Sequence, residues 1–201
     1  EYDEWANKNS DPSKRDPDGY FVLGEVSAAL NSIGIATKKI RFRKHKIIDI
    51  LTNEEHHISD SELKQLPATL EDPVIVMQSK TQFNRVVVAG ELISAESGLP
   101  VIAAIELDPK GQIKNFVVVA SAYDRKLQSL LDTSDILYVD PNKKRTDNWL
   151  RQRRLQLPEL VTQYGSIGKV TYFNPNVNRI SANSEMKQAL RKANLIDDNG
   201  N

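Results

Sequence analysis

The sequence predicts an α+β domain in which N-terminal helices pack on one face of a meandering antiparallel β-sheet. Before Pro73 the apolar residues recur at helical spacing, and after it they form β-branched runs of strand length. Connections of about four to six residues separate these runs, and such short connections suit antiparallel neighbours rather than crossovers through helices. Helices followed by a series of strands are typical of the α+β class.

Three helices are predicted before the sheet. Apolar residues at 26–33 lie near helical spacing, and this short helix is expected to end at Gly34, where glycine takes a left-handed conformation. A second helix covers 44–57, because its isoleucines fall on one side. A third begins at Ser59 with the Ser-x-x-Glu spacing of a capping box and stops before Pro73.

Four strands form the predicted sheet, and further elements follow it. The strands are 74–79, 85–94, 99–107 and 113–122. A helix at 125–134, a strand at 136–140 and a basic helix at 142–154 come next. Beyond residue 155 we expect irregular structure, with a strand at 169–174, a short helix at 184–195 and disordered final residues.

These elements divide the chain into three parts. Residues 1–19 carry two Asp-Pro pairs and little apolar content, so they are predicted to be a linker or flexible arm. Residues 20–158 form the predicted domain, and 159–201 a C-terminal extension that is partly irregular. Since the chain does not begin with Met, we expect it to be part of a larger multidomain polypeptide.

Composition excludes several classes of function. The chain has no cysteine, which excludes disulfides, thiolate zinc sites and a cysteine nucleophile. No apolar run approaches the ~20 residues that span a bilayer, and we expect no signal peptide, because the first twenty residues are polar. Its 27 Lys or Arg balance 27 Asp or Glu, so binding to nucleic acid requires a local basic patch. One candidate is 142–154, with six Lys or Arg against a single Asp; the alternative is a solvated helix face.

Acid–base chemistry has few candidate residues, because the chain has three histidines. His56 and His57 lie at the end of the predicted helix 44–57, and a neutral imidazole is suited to accept a proton near neutral pH. The alternative is that histidine at a helix C-terminus merely complements the helix dipole. Metal-binding and phosphate-cradling glycine motifs are absent from the sequence, so we expect no metal and no other cofactor.

The segment at the end of the fourth strand carries hydroxyls and cations. Ser121 and Tyr123 should point to one face of the sheet, since side chains alternate along a strand. If that face is opposite the helix that carries the histidines, the set suits phosphodiester cleavage without metal: a base, an acid and donors for the charged phosphorane. The alternatives are edge packing for Tyr123 and a surface charge at a helix start for Lys126. The predicted catalytic residues are His57, His56, Ser121, Tyr123 and Lys126, and the predicted nucleic-acid-binding residues are Arg125, Lys143, Lys144, Arg145 and Arg151.

Several motifs together resemble the MuF C-terminal domain family. They are DPDGYFVLGEVSAALNSIGI, LEDPVIVMQS, ASAYD, SDILYVDPNKKRTDNWL, LQLP and YGSIG, and they extend over residues 17–173. The resemblance implies an origin in phage head-morphogenesis proteins, or in multidomain proteins of prophages and mobile elements. It also implies a polymorphic toxin module grouped with barnase, EndoU and colicin-type ribonucleases, and therefore a barnase- or EndoU-like fold.

The family pattern bears on individual residues. It has a histidine before the second helix, a position that His57 or its neighbour His56 fills here. It has Ser-x-Tyr followed by Gly and Lys, whereas this chain has Asp124 in place of the Gly and Lys126 displaced by one. The RTDNWL segment matches Arg145, Thr146 and Trp149 as pattern residues without an assigned role.

The leading hypothesis is a metal-independent nuclease toxin domain, acting on RNA in the cytoplasm or delivered by a phage into a target cytoplasm. Its expected partners are RNA, a cognate immunity protein and the parent polypeptide, with no membrane. The alternative is a non-catalytic binding module of a phage or mobile-element protein, which recognises protein or nucleic acid. A nucleotide transferase, such as an ADP-ribosyltransferase, is a third hypothesis, for which the sequence shows no clear motif.

Overall fold

A mixed β-sheet forms the centre of the fold in the computed structural model, which describes residues 1–82, 84–107 and 116–158, with Phe116 described by its backbone alone. Its strands are β1 (Tyr20–Glu25), β2 (Lys39–Arg43), β3 (Ile75–Gln78), β4 (Arg85–Ile93), β5 (Pro100–Glu106), β6 (Phe116–Asp124) and β7 (Ile136–Val139). Within the described residues they form one seven-stranded sheet in the order β1-β2-β6-β5-β4-β3-β7. The α+β class predicted from the sequence is confirmed.

The four strands predicted as the core of the sheet are antiparallel neighbours. β3 pairs with β4, β4 with β5 and β5 with β6, all antiparallel. The expectation of a wholly antiparallel sheet is wrong, however, because β2 pairs with β6 in parallel. β1, which pairs antiparallel with β2, and β2 itself were not predicted as strands. A barnase- or EndoU-like fold stays a prediction.

The helices predicted between residues 26 and 154 are present, with shorter bounds, and a further helix, Tyr2–Asn7, was not predicted. The helices are α1 (Tyr2–Asn7), α2 (Ala28–Ser32), α3 (Lys44–Thr52), α4 (Asp60–Leu63), α5 (Leu66–Glu71), α6 (Gln128–Thr133) and α7 (Lys143–Gln152). The helix predicted from Ser59 is divided into α4 and α5, and Pro67 lies in the first turn of α5, where its missing N–H is not needed. Ser59 and Glu62 make the predicted capping box.

The first nineteen residues, predicted to be a linker or flexible arm, pack against the domain instead. Trp5 is buried and makes an edge contact with Phe21 of β1, with 5.4 Å between the ring centroids. Both terminal nitrogens of Arg15 donate to the carboxylate of Asp60, each at 2.7 Å. The low apolar content of residues 1–19 did not indicate this packing, because the contacts with Phe21 and Asp60 are made by one tryptophan and one arginine side chain.

Helices cover both faces of the sheet. The first face packs against α2–α5, through residues such as Leu30, Ile47 and Leu66. The second face packs against α6 and α7 through Leu131 and Trp149, and the strand residues in this cluster come from β3, β4, β5 and β7. The N-terminal helices therefore cover one face, as predicted, while α6 and α7 form a third layer on part of the other.

Among the described residues, none of the helices combines the length and apolar character that crossing a membrane requires. The predicted extension 159–201, with its strand at 169–174 and its helix at 184–195, lies outside the described residues. Of the loop between β5 and β6, residues 108–115 also lie outside them.

Candidate functional site

The end of β6 meets the turn that follows α3. There, Nδ1 of His57 lies 3.3 Å from Oδ2 of Asp124. The Asp124 side chain is only 3% exposed, whereas the His57 side chain is 40% exposed. The pair therefore joins a buried carboxylate to an imidazole that reaches solvent.

Strand register decides which side chains of β6 face which layer. Asp124 is opposite Val101, which belongs to the core on the α2–α5 face, while Tyr123 is opposite Ile102, which packs on the α6–α7 side. Ser121 is opposite Ala104 and shares the face of Tyr123, as alternation predicts. Asp124, and not Tyr123, therefore faces the layer that contains the turn with His57.

Between them, the two histidines nevertheless lie close to side chains from both faces of β6: His57 is near Asp124, and His56 is near Tyr123. The ring of His56 is 6.2 Å from the ring of Tyr123, centroid to centroid. His56 is half-buried and His57 is exposed. The structure therefore brings together His56, His57, Tyr123 and Asp124.

The backbone of His57 is held in an unusual conformation. Its φ is 30°, in the left-handed region that residues with a side chain seldom adopt. The hydroxyl of Ser94, which is fully buried, donates a hydrogen bond of 2.6 Å to the His57 carbonyl. The Ser94 hydroxyl oxygen also accepts a hydrogen bond of 3.2 Å from the Ser97 amide, so the β4–β5 turn holds the histidine turn in place.

A second buried acid supports the turn from the other side. Glu62 accepts hydrogen bonds from the Ser59 amide at 2.6 Å and from the Ala95 amide at 2.5 Å. Burial raises the pKa of the Glu62 carboxyl, but these bonds outweigh burial and lower it, with the nearby charge of Asp124 opposing them. Within the described part of the chain, Oδ1 of Asp124 is buried without a hydrogen-bond partner.

The predicted cations at the end of β6 are placed next to the pair. Arg125 and Lys126 directly follow Asp124, and both are exposed. The Arg125 amide donates to the Pro100 carbonyl at 3.1 Å, which continues the pairing of β6 with β5 for one residue. Both residues are therefore exposed to solvent directly after the buried carboxylate of Asp124.

The basic helix α7 lies near the same end of the sheet. Because β4, β5 and β6 alternate in direction, the end of β6, the start of β5 and the end of β4 coincide. Arg145 of α7 contacts Glu91 near the end of β4, with Nε to Oε1 at 3.4 Å. Arg145 also binds Asp72 at 2.9 Å and Asp140 at 2.8 Å.

The remaining predicted cations of α7 face solvent. Lys143, Lys144 and Arg151 are exposed. Arg145 differs from them, since three carboxylates already neutralise its charge. Its position at the start of α7 therefore secures the helix to the loops before β3 and after β7.

Three residues of this arrangement were missed by reasoning from the sequence. Asp124 was noted as a departure from the family pattern, Glu62 as a helix cap, and Ser94 not at all. A cap signal was visible for Glu62, but the contact with Ala95 joins residues far apart in sequence. Nothing in the sequence indicates the partner of Ser94, because the contact is to a backbone carbonyl.

Among the residues that the structure describes, no group of three or more His, Asp or Glu side chains is arranged to hold a metal ion. Ser121 lies in β6 three residues before Asp124, and Lys126 follows Asp124 by two residues. The roles of all the predicted site residues stay predictions.

Comparison with known proteins identifies the family. Residues 48–146 match the model of the phage MuF C-terminal domain. No curated protein and no solved structure matches the chain. The match runs from within α3 into α7 and includes both site histidines and Asp124, while β1 and β2 lie before it. Residues 48–146 of this chain therefore belong to the phage MuF C-terminal domain family, as the sequence motifs predicted.

Proposed function

We propose that this domain is a metal-independent ribonuclease that cleaves the phosphodiester backbone by acid–base catalysis. The observation that carries the proposal is the contact between the exposed imidazole of His57 and the buried carboxylate of Asp124. A carboxylate in that position orients an imidazole and stabilises its protonated form, as in other acid–base sites. The strained backbone of His57 supports the proposal, because strain of this kind clusters at functional sites.

His57 is the general base of the proposed reaction. With Nδ1 facing Asp124, that nitrogen carries the proton and donates to the carboxylate, which leaves Nε2 as the acceptor. The distance of 3.3 Å is long for such a bond, and contacts of this kind tighten when substrate binds. Nε2 takes the proton of the ribose 2′-OH, whose oxygen then attacks phosphorus.

The neighbouring groups complete the reaction. As the bond from phosphorus to the 5′ oxygen breaks, that oxygen takes a proton from the protonated imidazole of His56, and a 2′,3′-cyclic phosphate is formed. Tyr123 and Ser121 donate hydrogen bonds to the phosphorane, and Lys126 and Arg125 supply positive charge to it. The 6.2 Å between the rings of His56 and Tyr123 supports their common role.

Substrate binding is assigned to the exposed cations of α7. Lys143, Lys144 and Arg151 are exposed, and in this proposal they contact a phosphate backbone. Arg145 contributes less in this proposal, because its guanidinium already binds Asp72 and Asp140. The proposal also includes a toxin role in a target cytoplasm, with an immunity protein that covers the site.

A binding module without catalysis is the second candidate. Two observations favour it: the net charge of zero and the neutralised charge of Arg145. In that case the His57–Asp124 pair would only fix the turn after α3. The two candidates differ in whether RNA is cleaved.

The test is incubation of the full chain with end-labelled RNA, with and without EDTA, followed by electrophoresis. We expect cleavage in both conditions, and losses of about 10²–10⁴ in rate for His57→Ala and for Asp124→Asn. His45→Ala, in the first turn of α3, is the matched histidine control and should cleave as the unchanged protein does. Intact RNA throughout would place the binding module ahead. Full activity in both His57→Ala and His56→Ala would refute the histidine mechanism. Cleavage that EDTA abolishes would refute metal independence.

A further inference from the structure

The second face of the sheet is covered unevenly. Among the described residues, the strand residues packed beneath α6 and α7 come from β3, β4, β5 and β7, with Tyr123 of β6 at the boundary. Beyond that boundary lie β2 and β1. Tyr20 is 43% exposed and Val22 is 50% exposed, the largest exposures of large hydrophobic residues in this part of the molecule.

The exposed residues of β1 and β2 form a patch of aromatic and cationic side chains. In β2, Ile40 and Phe42 are buried on the first face, so the alternating Arg41 and Arg43 lie on the second. Tyr20 is opposite Arg43 in the antiparallel register. The guanidinium carbon of Arg41 lies 4.0 Å from the centroid of the Tyr20 ring, so the ring is held in place against the sheet.

This patch lies on the same face of the sheet as Ser121 and Tyr123 of the candidate site, the face opposite Asp124. β2 runs parallel to β6, and Phe42 pairs with Val119, which places Arg43 beside Ala120 and close to Ser121. Adjacent strands lie about 4.8 Å apart, so Tyr20 is about 10 Å from β6, two strands away. Tyr20, Arg43 and Ser121 therefore lie on one face of the sheet, at the end where His57 meets Asp124.

We propose that the face formed by Tyr20, Arg41 and Arg43 binds single-stranded RNA and leads it into the cleavage site. This inference rests on the proposed function and names its substrate class. A base stacks on the Tyr20 ring, and phosphates contact Arg43. Several RNA-binding domains use aromatic and cationic side chains on an open sheet face in this way, and stacking of this kind accepts any base.

Charge and edge geometry favour RNA over a protein strand. Glu25 lies opposite Lys39, so the positive charge of the patch is concentrated at the Arg41–Arg43 end, next to the site. The register of β1 shifts between Val22 and Gly24, and the φ of Gly24 is 143°. Such a bulge disrupts the edge that an added strand would need.

The experiment measures binding of a fluorescent single-stranded RNA of about eight nucleotides, a length within the range that single-strand-binding folds occupy. The full chain carries His57→Ala, so that the RNA stays intact. Tyr20→Ala should weaken binding by about 5- to 150-fold, while Tyr20→Phe, which keeps the ring, should bind as the parent does. Arg43→Gln should reduce the slope of log affinity against log salt by about 0.7. Lys46 is a partly exposed cation of α3 that pairs with Asp49, and Lys46→Gln is the matched control, which should leave both unchanged.

The outcomes separate this inference from the proposed function. Cleavage by the unchanged protein, together with equal RNA affinity in Tyr20→Ala, Arg43→Gln and the parent, would overturn the inference and leave the ribonuclease standing. Absence of cleavage, with binding that still depends on Tyr20, would overturn the ribonuclease and support the RNA face. Self-association of the parent, seen by sedimentation and abolished by Tyr20→Ala, would make the face an interface between copies and overturn the inference. Circular dichroism of each variant checks the fold, and Tyr20→Phe and Arg43→Gln are conservative enough to keep it.

Discussion

The imidazole of His57 depends on other side chains for its position. Asp124 contacts its ring, Ser94 holds its carbonyl, and Glu62 ties the following helix to the β4–β5 turn. The histidines and Tyr123 could be named from the sequence, since few residues suit acid–base chemistry. Asp124 could not be placed, because the register shift between Ala104 and Ile105 changes which residues of β6 face the histidine turn.

Ser94→Ala tests the clamp on the His57 turn. The change leaves the His57 carbonyl and the Ser97 amide without the buried hydroxyl that now binds both. We expect a loss of about 1–3 kcal/mol in the free energy of unfolding, measured in urea. Ser129→Ala, at an exposed position of α6, should change it by less than about 0.5 kcal/mol. Equal stability of the two variants would contradict the clamp.

The Arg15–Asp60 pair makes the free energy of unfolding depend on pH in the acidic range. Burial raises the pKa of the Asp60 carboxyl, but hydrogen bonds from Arg15 and Tyr2 outweigh burial and leave the pKa below its usual 3.8. Because the folded pKa is the lower one, the pair stabilises the folded state above about pH 3.8 and loses this effect as pH falls through the folded value.

Asp60→Asn should therefore destabilise the protein at neutral pH and by less at pH values below the folded pKa. We expect a loss near pH 7 of about 2–3 kcal/mol in the free energy of unfolding, less than for a fully buried pair because Asp60 is partly exposed. Urea unfolding at several pH values measures the effect. Asp49→Asn, which removes an exposed partner of Lys46, should give a small and constant change. A pH profile parallel to that of the unchanged protein would exclude the role of Asp60.

Helix α7 shows why a basic segment need not be a binding surface along its whole length. One side is structural: Trp149 is 1% exposed, and its Nε1 donates to the Gly90 carbonyl at 2.7 Å. Arg153 lies over the Trp149 ring and donates to the Glu91 carbonyl at 3.1 Å. The opposite side carries the exposed lysines. The sequence predicted the helix and its positive charge, but it did not indicate which side of the helix packs on the sheet and which side is exposed.

Trp149→Phe tests the structural side of α7. Phenylalanine keeps much of the ring but leaves the carbonyl of Gly90 without its donor in a buried place. We expect a loss of about 1–3 kcal/mol in the free energy of unfolding. The surroundings of Gly90 are closely packed, since a Cβ at this position would lie 3.0 Å from the Thr69 side chain. Stability equal to that of the unchanged protein would show that the hydrogen bond contributes nothing.

The outer strands β1 and β2 show the limit of prediction from local pattern. The segment at 39–43 alternates cations with Ile40 and Phe42, but it is only five residues long. Its parallel partner β6 is more than seventy positions away, so no turn between neighbours marks the pairing. The hairpin-connected strands β3–β5, by contrast, were predicted because each is joined to the next by a short turn.

In the whole molecule, equal numbers of opposite charges hide an uneven arrangement. One end of the sheet gathers Arg43, Arg125, Lys126 and the start of α7, although the net charge is zero. The opposite end carries Lys80, which follows the end of β3 and is exposed. The affinity for a ligand with phosphates should therefore depend on where each charge lies and not only on the net charge of the protein.

Charge reversal at the two ends separates these effects. Lys144→Glu and Lys80→Glu change the net charge of the protein by the same amount, but Lys144 lies in α7 beside the site and Lys80 at the far end of the sheet. Lys144→Glu should lower the affinity for single-stranded RNA and reduce the salt slope by about 0.7, because one phosphate contact is lost. Lys80→Glu should leave the slope unchanged, since exposed charges farther away than about 10 Å are screened at ordinary salt. Fluorescence anisotropy across a salt series, in the His57→Ala background, measures both. Equal salt slopes in the two variants would mean that the affinity for RNA depends only on the net charge of the protein. Helix α7 would then have no specific role in binding.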